Sequence, residues 1–229
     1  MTRRLLLVLT FLLGAVPSTS GMIAAQETDI DIAAVSEVVL AADPDAVAAG
    51  LETPPDDADL PEGFFNPPSG TPENAEIAEA LVLPVGELDG AVASINHAFD
   101  VDPDVVPGLI SAGYINFVVA EEEITDDELD DFEEGAASSF EEDTTGVAGS
   151  VSRIDLGGVE AVAITVVTEE AGISAVVHLV AVPVGHTLVI GTALVADQGT
   201  VDPDDVLPFA EALTLAGVAY LETVAEDAQ

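Results

Sequence analysis

The residues of this chain that could do chemistry are its histidines, its carboxylates and one arginine beyond the N-terminal pair; cysteine and lysine are both absent. His97, His178 and His186 could in principle supply a zinc site. Zinc needs its nitrogen ligands within about 2.0–2.1 Å of one point. If Pro183–His186 is a turn, His178 stands on the order of 16 Å from His186 at about 3.3 Å per strand residue. A strand histidine at 178 and a turn histidine at 186 are the simpler reading. Asp130, Glu134, Gly135 and Glu141 fall where an EF-hand loop has its positions 1, 5, 6 and 12. Position 3 would be Phe132, which has no ligand oxygen. Asp130, Glu134 and Glu141 are therefore weak metal candidates on a stretch that reads as helix. The Asp-Pro-Asp triplets at 43–45, 102–104 and 202–204 read as helix caps or turns.

Other chemistry is poorly represented. No G-x-S-x-G is present, and Ser138-Ser139 sits among acids with no general base in view. Without lysine there is no Schiff base and no phosphate-binding P-loop. Paired carboxylates are always available among 44 acids, so a hydrolase without a motif stays open, but with no tryptophan and only Tyr114 and Tyr220 as tyrosines, aromatic platforms for sugars are scarce. Arg153 could be a buried counter-ion or an anion clamp; a lone strand arginine more often pairs with a carboxylate across the sheet. No cofactor is expected.

Charge bounds the partners. The chain carries 44 acidic and three basic residues, a formal charge of −41. Two of the three are Arg3 and Arg4, followed by the apolar run Leu5–Val16 and the small residues before Gln26. That pattern predicts a signal peptide over 1–25, cut after Ala25, and a secreted or cell-envelope location. The run is shorter than the roughly 20 residues of a membrane span, so no span is expected after cleavage. Beyond it Arg153 is the one fixed cation. Such a surface repels nucleic acid and anionic lipid. It predicts weak, diffuse cation binding and an unknown protein or cationic partner. An exported chain without cysteine must be held by burial alone.

The elements that would position these residues centre on Val151–Val195. Gly157-Gly158 suits a two-residue hairpin, because both positions can take φ > 0. Val151–Leu156, Val159–Thr168, Ile173–Val182 and Thr187–Val195 read as strands. Turns this short make them antiparallel neighbours, since a parallel crossover needs a dozen or more residues. Gly90–Asp100 alternates like a strand, and another is expected from about Ala112 to Ala120. In Glu121–Asp143, 13 residues are acidic. Thr125 and Glu128 nonetheless form a capping box, and Leu129, Phe132, Ala136 and Phe140 make one apolar stripe. The prediction is an amphipathic helix over about 126–141, covering one sheet face. Its like-charge pairs Asp126–Asp130, Asp127–Asp131 and Asp130–Glu134 each cost roughly 0.2–0.5 kcal/mol at low salt. Pro72–Ala80 is weakly helical. Pro208 places the start of the last helix near 208, with its end near Glu222.

The expected organisation is a flexible acidic leader over 26–58 carrying at most one short helix, one α+β domain over 59–222 and an acidic tail over 223–229. The domain is an antiparallel sheet of about six strands with helices packed on it. Phe64 and Phe65 anchor its start. The layout resembles the PsbP-like group of exported domains in Leu60-Pro61-Glu62-Gly63-Phe64, in the strand and acidic helix over Gly113–Phe140, in the Leu156-Gly157-Gly158-Val159 hairpin, and in the long strands and closing helix. About two thirds of the chain is covered. The resemblance implies a PsbP-like sandwich and a non-catalytic assembly or binding factor. The chain departs from that group in lacking the lipidation cysteine of its lipoproteins and nearly all basic residues. The expectation is a secreted, acidic, non-enzymatic binding or accessory protein; the alternatives are a cation-binding or salt-adapted surface protein and a carboxylate hydrolase.

Overall fold

Gly157 and Gly158 turn the chain with φ of 61° and 85°, the left-handed pair that a type I′ hairpin requires. This turn joins β4 (Val147–Leu156) to β5 (Val159–Glu170), and short turns lead on to β6 (Ile173–Val184) and β7 (Thr187–Gln198). The ladder between β6 and β7 runs from Ile173↔Gln198 to Val184↔Thr187. The last turn is therefore only Gly185-His186, and Pro183 and Val184 are strand residues rather than part of it.

The computed structural model describes residues 30–68, 90–106, 108, 110–141, 147–170, 172–199 and 201–229. The signal segment and Pro72–Ala80 lie outside them. β1 (Phe64–Phe65), β2 (Ala91–Val101) and β3 (Ile110–Ala120) complete one antiparallel sheet, in the order β1-β2-β3-β7-β6-β5-β4. Among the described residues it has seven strands rather than about six. After β3 the chain passes through an acidic helix to the far edge, and the meander folds back until β7 pairs with β3. The molecule is α+β, with four α-helices among the described residues: α1 (Ile32–Ala41), α2 (Pro44–Leu51), α3 (Asp126–Glu141) and α4 (Pro203–Asp227).

Strand alternation divides the sheet into two faces. One bears Phe99, Ile115, Phe117, Val180, Val182 and Val189, and α1, α2 and α4 pack on it. At Gly191 the approach of α4 is so close that a Cβ would lie 2.4 Å from the backbone nitrogen of Thr214. The Gly191 N–H donates to Thr214 Oγ1 at 3.1 Å, and that hydroxyl lies 3.0 Å from the carbonyl oxygen of Val180. The opposite face bears Tyr114, Val118, Leu179, Leu188, Ile190 and Leu194; on its β4–β5 side lies α3.

The N-terminal segment differs most from expectation. Instead of a flexible leader, residues 32–51 form two capped helices. Asp31 Oδ1 accepts from the Ala34 N–H, and Asp43 Oδ1 from those of Asp45 and Ala46. Ile32, Val35, Val39, Val47 and Leu51 are buried in the main core. The Nε2 of His97 and the carbonyl oxygen of Leu51 at the end of α2 are 2.7 Å apart, and the Tyr220 hydroxyl donates to the Thr53 carbonyl at 2.6 Å. The α4 helix also departs from its expected bounds. It starts at Pro203, capped by Asp202, contains Pro208, and runs to Asp227. One missing amide is tolerated because Val206 and Ala210, on either side of Pro208, are buried. The tail stays helical because Val224 and Ala225 are buried against the core. By length and composition α4 could cross a membrane, but its apolar side packs on this sheet.

Candidate functional site

The second face holds the polar groups that helix propensity and strand pattern leave unexplained. Tyr114 and Asn116 are two residues apart on β3, so both point to this face. Cross-strand pairing sets Tyr114 between Ala98 and Thr192, and Asn116 between Asn96 and Ile190. Tyr114 is 3% and Asn116 6% exposed. The Tyr114 hydroxyl and both amide atoms of Asn116 are buried without a hydrogen-bond partner among the described residues. A polar group buried in this way costs about 1–3 kcal/mol of desolvation. Tyr114 also belongs to the apolar cluster of Val118, Leu179, Leu188, Ile190 and Leu194. Burial holds its hydroxyl well above the ordinary tyrosine range, and the charge of Asp100 adds to the effect. The patch therefore combines a neutral hydroxyl and a neutral amide with apolar walls. It offers two kinds of donor and an acceptor, and no cation.

On the same face, over β4 and β5, stands the acidic helix. The capping box is formed: the Thr125 N–H donates to Glu128 Oε2 at 2.7 Å, and the Glu128 N–H to Thr125 Oγ1 at 3.4 Å. Leu129 is buried in the same cluster as Tyr114, with Phe132 and Ala136 packed against it. Phe140, the fourth member of the expected stripe, has its side chain outside those described. Arg153, on β4, meets α3 with its guanidinium. It pairs with Asp130, with Glu133 at 2.6 Å and with Glu160 on β5 at 3.2 Å. The cross-sheet carboxylate expected from the sequence is Glu160; the two helix partners were not foreseen. One cation thus joins β4, β5 and α3, set against three carboxylates.

The metal candidates do not form a loop. Asp130 and Glu134 lie one turn apart on continuous helix, and Asp130 is engaged by Arg153. The side chain of Glu141 lies outside those described. Among the described residues no group of three histidine or carboxylate side chains is placed to hold a metal ion. The three histidines are dispersed. His97 is bound to the end of α2. His178 Nδ1 lies 3.1 Å from Thr165 Oγ1, and its Nε2 2.9 Å from the Pro203 carbonyl oxygen. His186 sits in the β6–β7 turn beside Thr187. Burial lowers the basicity of His97 and His178. In all three Asp-Pro-Asp triplets the first aspartate accepts from the backbone N–H of the second: Asp43 from Asp45, Asp102 from Asp104 and Asp202 from Asp204. They are caps and turns.

Sequence reading missed the Tyr114–Asn116 pair. The signal available was an amide inside the otherwise apolar run Ile115–Val119, where half-buried alternation gives no reason for one. No family model matches the chain, and no curated protein matches it in sequence.

Proposed function

We propose that this is an exported, non-enzymatic binding protein that takes an uncharged amphiphile against the Tyr114–Asn116 patch. The observation that carries the reading is the set of three partnerless polar atoms on two adjacent, buried side chains of one sheet face. An amide or hydroxyl head group would satisfy them, and the Leu188, Ile190 and Leu194 walls suit an alkyl body. A carboxylate or phosphate head would meet no free cation among the described residues and would lie near Asp100, whose charge already acts on Tyr114. On the same face α3 sits over β4 and β5, held by a short apolar stripe and one arginine. The PsbP-like layout of the sequence points the same way, toward a binding or assembly factor.

The test is displacement of the neutral dye N-phenyl-1-naphthylamine by oleamide, a neutral fatty amide. The expected result is saturable dye binding and competition by oleamide. In Asn116→Leu, oleamide should compete about tenfold less well, the equivalent of one hydrogen bond. Dye affinity should be kept, and the fold should gain on the order of 1 kcal/mol, because a buried orphan amide is removed. Unchanged oleamide competition in Asn116→Leu, or no saturable dye binding to the parent protein, overturns the reading.

A further inference from the structure

The two edges of the sheet are unlike. At one edge β1 covers only Asp100 and Val101 of β2 and is followed by Asn66-Pro67-Pro68, proline being one of the devices that blunt an edge; Ala91–Phe99 of β2 have no outer partner among the described residues. The β4 edge is ten residues long, with no proline and no lysine. Its inner side pairs with β5 throughout, from Val147↔Thr168 to Leu156↔Val159. Among the described residues no strand pairs with its outer side. Ala148, Gly149, Ser150, Ser152 and Asp155 are exposed. An open ladder of this length is a template for another strand.

We propose that the β4 edge docks an extended segment of a partner protein whose residues alternate basic and apolar. The alternation follows from the two flanks of β4. On the α3 side, Asp130, Glu133 and Glu160 share one guanidinium. Asp130 and Glu160 remain 71% and 65% exposed at their side chains, so both keep oxygens free for a second cation. Asp155 points to the same face, exposed. On the other face Ile154 is half-buried and Leu156 buried in the main core, an apolar flank for the alternate side chains of the incoming strand. Charge also decides against a second copy of this chain. Two such edges would bring together two acidic helices from molecules of −41 each, and like charges in register are destabilising. The acidity that keeps this open edge from self-association is the feature that selects a cationic strand.

The experiment uses the full chain and a labelled ten-residue peptide alternating lysine with valine, followed by fluorescence anisotropy and amide hydrogen exchange. The expected result is saturable one-to-one binding that weakens steeply with salt, with new protection confined to β4 amides. The same peptide N-methylated at alternate residues keeps its charge but loses backbone donors, and it should bind at least tenfold more weakly. Glu134→Lys with Asp155→Lys should weaken the parent peptide at least tenfold as well. Both residues are exposed and neither belongs to the Arg153 cluster. Equal binding of the methylated peptide would mean charge attraction without strand addition and would overturn the proposal. So would failure of the parent peptide to bind, or a peptide-free dimer with β4 protected. None of these outcomes bears on dye or amide binding at Tyr114–Asn116.

Discussion

The two faces of this sheet are built from the same strands and held by opposite means. On one, α4 presses on β7 until only a glycine fits, and α1 and α2 lock over it through buried aliphatic side chains and caps. Removing water from apolar surface is non-directional and needs no exact charge placement. On the other, α3 carries acids along its exposed side, lies over the β4–β5 margin by Leu129, Phe132 and Ala136, and is fixed electrostatically by Arg153. That face also keeps the partnerless Tyr114 and Asn116. The first face accounts for a cysteine-free fold. The second gives up stability locally, the pattern expected where an element must move or a ligand must bind.

The sharpest way to break the first face is Gly191→Ala. Its Cβ would meet the Thr214 backbone at 2.4 Å, which no rotamer relieves. A loss of about 3 kcal/mol or more is expected, at the upper end of overpacking effects, measured by urea unfolding. A loss under about 1 kcal/mol would mean that α4 is not seated as described.

The second face should yield to salt and to Arg153→Met. Without the guanidinium, Asp130, Glu133 and Glu160 repel one another. In dilute buffer the variant should lose about 1 kcal/mol, the upper range for partly exposed ion pairs, and α3 amides should exchange faster while α4 amides do not. The parent protein should melt higher in molar salt than in dilute buffer, and the gap to the variant should narrow as screening replaces the arginine. A melting temperature indifferent to salt would count against the electrostatic account of α3.

A smaller effect distinguishes the faces by pH. His97 and His178 both lie on the helix-packed face, and burial holds their pKa below the ordinary 6.5. The unfolded chain therefore takes up protons before the folded one does. The contribution of each histidine is complete above about pH 6.5 and declines as pH falls from there toward the folded value, by at most about 1.4 kcal/mol per pH unit for each. His97→Gln should unfold with a shallower decline than the parent between pH 7 and 5. Identical slopes would show that His97 titrates alike in both states.

Much of this architecture was legible along the chain. The glycine pair, the β-branched runs and the Thr125–Glu128 box act within a few residues, and each appears where the pattern places it. Pro208 misled because a local rule about helix interiors met a burial term that outweighs one lost hydrogen bond. Residues 32–51 misled more. Their short apolar clusters fit several local structures, and what selects two helices is contact with α4, the β6–β7 turn and His97, all distant in sequence. The Tyr114–Asn116 patch was equally hidden, since β3 alone does not say which neighbours flank it.

What the amino-acid order determined alone was therefore short-range, namely turns, caps and strand alternation, together with a net charge of −41. What only the tertiary structure decided was long-range: which helices share a face with β7, that Arg153 meets α3, and that a hydroxyl and an amide are shut away together. The division has a physical cause. Backbone turns and caps are fixed by neighbours within about four residues, whereas burial and ion pairing depend on who is brought alongside when the meander closes on β3.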